Sequence, residues 1–214
     1  MLRIVLGAAA LTLFAPWAFA CEGQTGKVIF EDKFTDDTGG WVFGADWSLL
    51  LKPPGATVTV AAANEGASTA ILNQTFTATL GDFCTEGTFP ANAEQLNAGI
   101  GVVFWGIDYS NYWSAAAYAD GSVNLSKLAN NQWSTIFETM TKNVVKTSPA
   151  DVNSVRAVVK NGTITVIVNG QTVKSVRAQF PSGDLKFGFR RSYRKSSTAE
   201  VLFNAGPYKV TTAE

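Results

Sequence analysis

Apolar and polar residues alternate over short stretches of this chain, and Gly, Asn and Asp residues separate those stretches. The clearest example is a pair of runs rich in β-branched residues, 163–168 and 171–176, on either side of Asn169-Gly170. Because an Asn-Gly pair tolerates the positive φ angles of a tight turn, this segment predicts a β-hairpin. The other predicted strands cover residues 28–34, 47–51, 57–61, 69–77, 98–105, 112–119, 122–128, 132–138, 155–160, 185–190 and 200–210.

Many short strands separated by turn residues predict an all-β protein, built as an antiparallel two-sheet sandwich. No stretch sustains a 3.6-residue apolar repeat beyond two turns, which argues against long amphipathic helices. Residues 21–214 show no linker, low-complexity tract or internal repeat, so we expect a single β-sandwich domain. With 46% hydrophobic and 16% charged residues, the composition is that of a globular protein.

Residues 1–20 predict a signal peptide rather than part of the fold. Arg3 precedes a short apolar run that ends in the small-x-small site Ala18-Phe19-Ala20. The run is too short for a membrane span, and Pro16 interrupts it. We therefore expect cleavage before Cys21, export to the periplasm or the extracellular space, and no transmembrane segment in the mature protein.

The mature chain contains two cysteines, Cys21 and Cys84. In an oxidising compartment such a pair predicts one disulfide bond, which would clamp the new N-terminus to the middle of the domain. A lipid anchor on Cys21 is the alternative, and it would leave Cys84 without this partner. The usual lipoprotein signal has Leu three residues before the cysteine, where this chain has Ala18.

The chain contains no histidine. This excludes Ser-His-Asp and Cys-His nucleophiles, His-ligated zinc or iron, and an imidazole general base. Catalysis would need carboxylates, Lys, Tyr or a cofactor.

The charges balance overall, with 17 basic and 17 acidic side chains, but they are unevenly distributed. Residues 21–141 carry 4 basic and 13 acidic side chains, and residues 142–214 carry 12 and 4. Either the basic part forms a surface that attracts an anion, or the strands interleave so that the two parts neutralise each other. We favour the interleaved arrangement.

Several short motifs follow one another along nearly the whole mature chain. They are residues 30–34, Gly40-Trp41, residues 99–104, residues 108–113, Asp120-Gly121, Trp133, residues 168–170, residues 201–203 and residues 208–210. Their order resembles the concanavalin A-like lectin/glucanase superfamily, whose jelly-roll sandwich laminin-G-like modules share. It is also similar to the bacterial 3-keto-disaccharide hydrolase-type domain. The resemblance implies a jelly roll whose opening strand pairs with its closing strand.

Glucanases of that superfamily carry alternating acids, Glu-x-Asp-x-x-Glu, along one strand, and nothing in this chain matches the motif. The pairs Glu31-Asp32 and Asp36-Asp37 are adjacent, so on a strand their side chains would face opposite ways. The leading hypothesis is therefore a non-catalytic carbohydrate-binding, lectin-like module. A glycosidase-like hydrolase with a cryptic carboxylate pair and a structural or cell-surface interaction domain are the alternatives. Asp36 and Asp37 are weak candidates for a calcium site, and no other cofactor is expected.

Aromatic residues concentrate at a few nearby places in the chain: Phe104, Trp105, Tyr109, Tyr112, Trp113, Tyr118 and Trp133. Sugar rings present apolar C–H faces that stack on Trp or Tyr planes, although core packing is the alternative for each aromatic side chain. Alternation along residues 99–105 predicts an open groove above Gly99 and Gly101, with Trp105 at its end. The expected partner is a carbohydrate or glycoconjugate, not nucleic acid. The candidate ligand-binding residues are Trp105, Tyr109, Tyr112 and Trp113 for stacking, Asp108 and Asn111 for hydrogen bonds, and Arg190 and Arg194 at the rim.

Overall fold

The computed structural model describes residues 21, 23–42, 48–141 and 143–214, and these residues form fourteen strands and one short helix, α1 (Ala93–Leu96). The predicted all-β class is confirmed. The predicted strand over residues 47–51 is described from Ser48 onward. The strands are β1 (Val28–Asp32), β2 (Leu49–Leu51), β3 (Ala56–Val60), β4 (Ala67–Thr77), β5 (Gly81–Thr88), β6 (Ala98–Asp108), β7 (Asn111–Tyr118), β8 (Ser122–Ala129), β9 (Gln132–Met140), β10 (Asn153–Lys160), β11 (Thr163–Val168), β12 (Gln171–Arg177), β13 (Lys186–Tyr193) and β14 (Val201–Thr211).

The strands form two antiparallel sheets. The eight-stranded sheet has the order β12-β11-β10-β5-β14-β3-β2, with β1 also paired to β14, and the six-stranded sheet has the order β4-β13-β6-β7-β8-β9. The predicted hairpin at Asn169-Gly170 joins β11 to β12, and both turn residues have positive φ angles, 48° and 76°. Strands β6 to β9 follow one another both in the chain and in the six-stranded sheet, so they form a meander. One continuous stretch of sequence therefore supplies most of that sheet.

The opening and closing strands pair, as the resemblance implies. Phe30 of β1 lies opposite Val210 of β14, and Asp32 lies opposite Tyr208. The first half of β14 pairs with β3, whereas β1 pairs with its second half. One long strand therefore contacts strands at both ends of the sandwich. This arrangement leaves the two chain ends of the domain side by side.

The core between the sheets is dominated by aromatic rings. The Trp41 ring lies 5.2 Å from the Phe189 ring and 5.4 Å from the Tyr208 ring, measured between centroids. Phe187 stacks on Tyr208 at 5.5 Å. Trp41 Nε1 donates a hydrogen bond of 2.7 Å to Asp32 Oδ2, which satisfies the polar atom of the buried indole.

The predicted disulfide bond is confirmed: Cys21 and Cys84 are bonded, with their Cα atoms 5.8 Å apart. The Cys21 amide donates to Glu86 Oε1 at 2.6 Å, so the segment before β1 is anchored on the central strand β5. The thiol that a lipid anchor would modify is thus already bonded. The predicted signal peptide, residues 1–20, lies outside the described residues and stays a prediction.

The acidic and basic parts of the chain interleave. Both ion pairs found within the described ranges connect the two parts: Arg156 pairs with Asp82 across β10 and β5, and Arg194 pairs with Glu138 at 2.7 Å. The strand order explains this, because each sheet places late strands beside early ones. Within the described part of the chain, no helix is long and apolar enough to span a bilayer.

Candidate functional site

A cleft runs over the outer face of the six-stranded sheet. Two adjoining cavities, of about 450 Å³ and about 440 Å³, form it, and Ser68 and Trp133 line both of them. Ser68 belongs to β4 and Trp133 to β9, the two opposite margins of the sheet. The sheet is therefore curved enough for its margins to face each other, and each cavity is of the size that small-molecule sites have.

The floor of the cleft is built from small side chains. Gly101 of β6 lies opposite Arg190 of β13 on one side and Ala116 of β7 on the other. A Cβ atom on Gly99 would lie 2.5 Å from the Tyr118 ring, so only glycine lets that ring lie against β6. Small residues here leave room for the longer side chains of neighbouring strands to lie flat along the floor.

Trp133 separates the two cavities and is the most exposed tryptophan of the described chain, with 44% of its surface accessible. Its ring meets the Tyr112 ring edge-on at 5.6 Å. The guanidinium carbon of Arg190 lies 4.5 Å from the Trp133 ring centroid, a cation–π contact. The indole is thus held in place from below, while its other surface faces solvent.

Two arginines flank the buried phenol of Tyr118. Arg190 Nη2 donates to Tyr118 Oη at 2.7 Å, and the guanidinium of Arg194 lies 3.6 Å from the Tyr118 ring centroid. Burial raises the pKa of the Tyr118 phenol, but the cations of Arg190 and Arg194 outweigh that effect and the pKa is lowered. Arg194 in turn donates to both carboxylate oxygens of Glu138, at 3.0 Å and 2.7 Å.

Within the part of the chain that the structure describes, three polar atoms on this face of the sheet are buried without a hydrogen-bond partner. They are Ser114 Oγ on β7, Asn124 Oδ1 on β8 and Arg190 Nε on β13. Buried polar atoms are nearly always paired in folded proteins, so unpaired ones mark places where water or a ligand completes the bonding.

The structure brings four of the predicted site residues into the cleft. Tyr109 and Tyr112 line the first cavity, and Arg190 and Arg194 line the second. Tyr109 is 44% exposed, and its hydroxyl accepts a 3.2 Å hydrogen bond from Gln74. Arg190 differs from its expected place at the rim, because it is buried in the floor.

Trp105 does not form the exposed platform that the alternation of residues 99–105 predicts. It is 1% exposed, and its Nε1 donates to the Thr79 carbonyl at 2.7 Å. The physical reason is an irregularity in β6 after Phe104, where Trp105 adopts a φ angle of 51° and joins Phe104 in the core. The two-residue alternation breaks at that point, so the side chain leaves the cleft face.

The remaining predicted residues lie outside the cleft. Asp108 Oδ1 accepts hydrogen bonds from the Asn111 side chain and the Ser110 amide, which lower the Asp108 pKa and shape the β6–β7 turn. Asn111 Oδ1 accepts from the Asn130 amide. Trp113 lines a separate cavity with Trp105, at the end of the sandwich. Asn111 and Tyr112 also line this separate cavity. The ligand-binding role of Trp105, Asp108, Asn111 and Trp113 stays a prediction.

Asp36 and Asp37 lie in an exposed loop. Hydrogen bonds from the Thr38 hydroxyl and amide to Asp36 Oδ1 lower the Asp36 pKa. Within the described ranges no three acidic, cysteine or histidine side chains come together to hold a metal ion. A calcium site at Asp36 and Asp37 stays a prediction.

No protein-family model matches the chain, and no curated protein matches it. Solved structures do match. The catalytic domain of an endo-1,3-β-glucanase (laminarinase) from Thermotoga petrophila superposes with a TM-score of 0.64 at 7% identity, covering 89% of this chain and 99% of that one. The β-glucanase of Bacillus licheniformis gives 0.61 at 11% identity, covering 88% and 100%. The fold is the concanavalin A-like jelly roll.

A carbohydrate-binding module also matches. The carbohydrate-binding module CBM66 from Bacillus subtilis superposes with a TM-score of 0.55 at 14% identity, covering 73% of this chain and 92% of that module. The resemblance drawn from the sequence motifs is confirmed at the level of fold. At these identities the likeness carries no residue role from one protein to another.

Two central residues of the jelly-roll cleft, Trp133 and Tyr118, were not among the predicted site residues. The sequence signal for this face of the sheet is the alternation of polar side chains on a neighbouring strand. Arg190 and Ser192 on β13 and Arg194 just after it follow this spacing. In an antiparallel sheet, alternate residues share a face, so polar residues at that spacing mark the solvent side. Strand order is needed to see that β13 lies beside β6, whose paired residues come 80 to 95 positions earlier in the chain.

Proposed function

We propose that the protein is an exported, non-catalytic protein that binds carbohydrate in the cleft of its six-stranded sheet. The observation that carries the proposal is Trp133, an aromatic plane 44% exposed between two cavities. A sugar ring stacks its apolar face on such a plane, while hydroxyl and amide groups on the surrounding strands meet its polar edge.

The carboxylate content of the cleft supports binding rather than hydrolysis. A glycosidase needs two carboxylates that flank the scissile bond. Of the described residues that line the two cavities, Glu65 is the acidic one, and the nearby Glu138 is held by Arg194. The Cys21–Cys84 disulfide supports export, since such bonds persist in oxidising compartments.

The test is the variant Trp133→Ala, with Phe76→Ala as its matched control. Phe76 is also an aromatic residue with 44% exposure, but it lies outside both cavities of the cleft. After a glycan array identifies a ligand, we expect Trp133→Ala to weaken binding about tenfold or more in calorimetry, because the stacking surface is lost. Phe76→Ala should bind as the unmodified protein does.

Two results would contradict the proposal. One is a protein that binds no glycan on an array of neutral and acidic structures. The other is a glycan affinity that Trp133→Ala leaves unchanged.

A hydrolase is the second candidate, because two of the matching solved structures described above are glucanases. Glu65 and Glu138 would be its acids. Release of reducing ends from laminarin or another β-glucan, abolished by Glu65→Gln or Glu138→Gln, would favour hydrolysis over binding alone.

A further inference from the structure

Arg190 and Arg156 are buried arginines of different sheets, and they differ in the groups that accept their hydrogen bonds. Arg156, 7% exposed, donates through Nε and Nη2 to the carboxylate of Asp82. Arg190, 6% exposed, donates to two neutral hydroxyls, Tyr118 Oη at 2.7 Å and Ser192 Oγ at 3.3 Å. Within the described residues no carboxylate forms an ion pair with Arg190.

Arg190 also differs from Arg191, the third buried arginine, because Arg190 lines a cavity of the cleft. Arg191, 0% exposed, points into the sandwich, where Nη2 donates to the Glu86 carbonyl at 2.7 Å. Arg190 faces the second cavity of the cleft, which Arg191 does not line. Among the described residues Arg190 Nε has no hydrogen-bond partner, and the same is true of Arg191 Nε, so the position in the cavity wall is what distinguishes Arg190. A buried cation without a counter-ion is costly, so its presence in the wall of a cavity points to a ligand that supplies the negative charge.

The surroundings of the second cavity suit an anionic group. Arg194 lines it beside Arg190, and the Ser68 and Ser192 side chains lie on the same stretch of wall. Glu138 neutralises Arg194, so among the described residues the charge at this site that has no ion-pair partner is that of Arg190. The acidic residue in the lining, Glu65, is exposed and makes no ion pair with Arg190.

We propose that the glycan bound in this cleft is acidic, and that its carboxylate or sulfate group binds at Arg190 in the second cavity while a sugar ring contacts Trp133. This inference rests on the proposed carbohydrate binding and specifies its ligand class. A guanidinium donates paired hydrogen bonds to a carboxylate or sulfate, and these charge-assisted bonds are stronger than bonds to neutral hydroxyls. The Trp133 ring on the Arg190 guanidinium keeps the donors in position.

The first experiment compares acidic oligosaccharides with neutral forms of the same backbone. One arm uses oligogalacturonate and its methyl ester, and the other uses a sulfated galactan oligosaccharide and its desulfated form. We expect at least about tenfold tighter binding of the charged form in one arm, and a weakening of that binding as salt rises. The arm that responds distinguishes a carboxylate from a sulfate.

The second experiment uses Arg190→Gln, which removes the charge but keeps an amide able to bond Tyr118. Its control is Arg177→Gln, which removes an exposed arginine on β12 of the other sheet. We expect Arg190→Gln to bind charged and neutral forms alike, whereas Arg177→Gln keeps the preference. Competition by free galacturonate or inorganic sulfate against the unmodified protein tests the same point without a substitution.

Equal or tighter binding of the neutral forms in both arms would overturn the inference and leave the proposed function standing. Binding of no oligosaccharide at all, charged or neutral, would overturn both. A charge preference that persists in Arg190→Gln would show that the anion binds elsewhere.

Discussion

At the scale of single residues, the phenol of Tyr118 is the group that orients the cleft arginines. It accepts the hydrogen bond of Arg190 and carries Arg194 on its ring, so one side chain sets the position of both cations. Burial raises the pKa of the Tyr118 phenol, but the two cations act in the opposite direction and the pKa is lowered.

The variant Tyr118→Phe tests this role. It leaves the ring but removes the acceptor of a buried charged donor, so we expect the free energy of unfolding to fall by about 1.5–3 kcal/mol in urea titrations. Tyr109→Phe is the control, because its hydroxyl is exposed and should contribute less than about 0.5 kcal/mol. Equal stability of the two variants would show that the Arg190–Tyr118 bond does not hold the floor together.

The sequence anticipated Arg190 and Arg194 as site residues but not their environment. Both arginines come late in the chain, and their partners Tyr118, Trp133 and Glu138 come from strands 50 to 75 residues earlier. Alternation within a strand shows which residues share a face. It does not show which strands are neighbours, so the contacts across the cleft were beyond prediction.

At the scale of elements, the irregular end of β6 decides which tryptophan can reach a ligand. The positive φ angle of Trp105 turns its side chain into the core against Phe104, and leaves the cleft to Trp133 on β9. Alternation predicted the opposite face for Trp105, because a periodic pattern contains no sign of a local break in the strand.

The variant Trp105→Ala separates these roles. We expect it to lower the free energy of unfolding by about 3–5 kcal/mol, as large-to-small substitutions in a core do. Glycan affinity of the folded fraction should stay unchanged, in contrast to Trp133→Ala. Urea titration and calorimetry on the same preparations check both parts. Lost binding with unchanged stability would instead make Trp105 the sugar platform that the sequence predicted.

The central strand β5 was missed by the sequence pattern altogether. Its outward positions are Asp82, Cys84 and Glu86, which lack the apolar alternation of a buried strand. Each is buried for a specific reason: Asp82 pairs with Arg156, Cys84 with Cys21, and Glu86 accepts the Cys21 amide. Burial through paired polar groups leaves no hydrophobic signal, whereas strands buried by apolar contacts were predicted well.

At the scale of the whole molecule, the balance of charge is a product of topology. Strands of the acidic first part lie beside strands of the basic second part in both sheets, and Arg156–Asp82 and Arg194–Glu138 join the two parts. The count of charges along the chain is enough to suggest that its acidic and basic parts interleave. It does not show which residues form ion pairs, because those pairs depend on the strand order.

The disulfide acts at the same scale, because it closes a loop with a sequence separation of 63. In the chain-entropy model, loss of such a bond lowers the free energy of unfolding by about 4 kcal/mol. We expect the double variant Cys21→Ser, Cys84→Ser to show this loss in urea titrations, and a reductant to destabilise the unmodified protein but not the variant. A reductant without effect on the unmodified protein would contradict the bond.

The two walls of the cleft are opposite margins of one curved sheet, with β4 on one side and β9 on the other. The separation between Ser68 on one margin and Trp133 on the other therefore depends on the curvature of the sheet. A small change in twist between β6 and β7 would move both margins at once, because backbone hydrogen bonds transmit it through every strand between them. The width of the cleft is in this sense set by all six strands together.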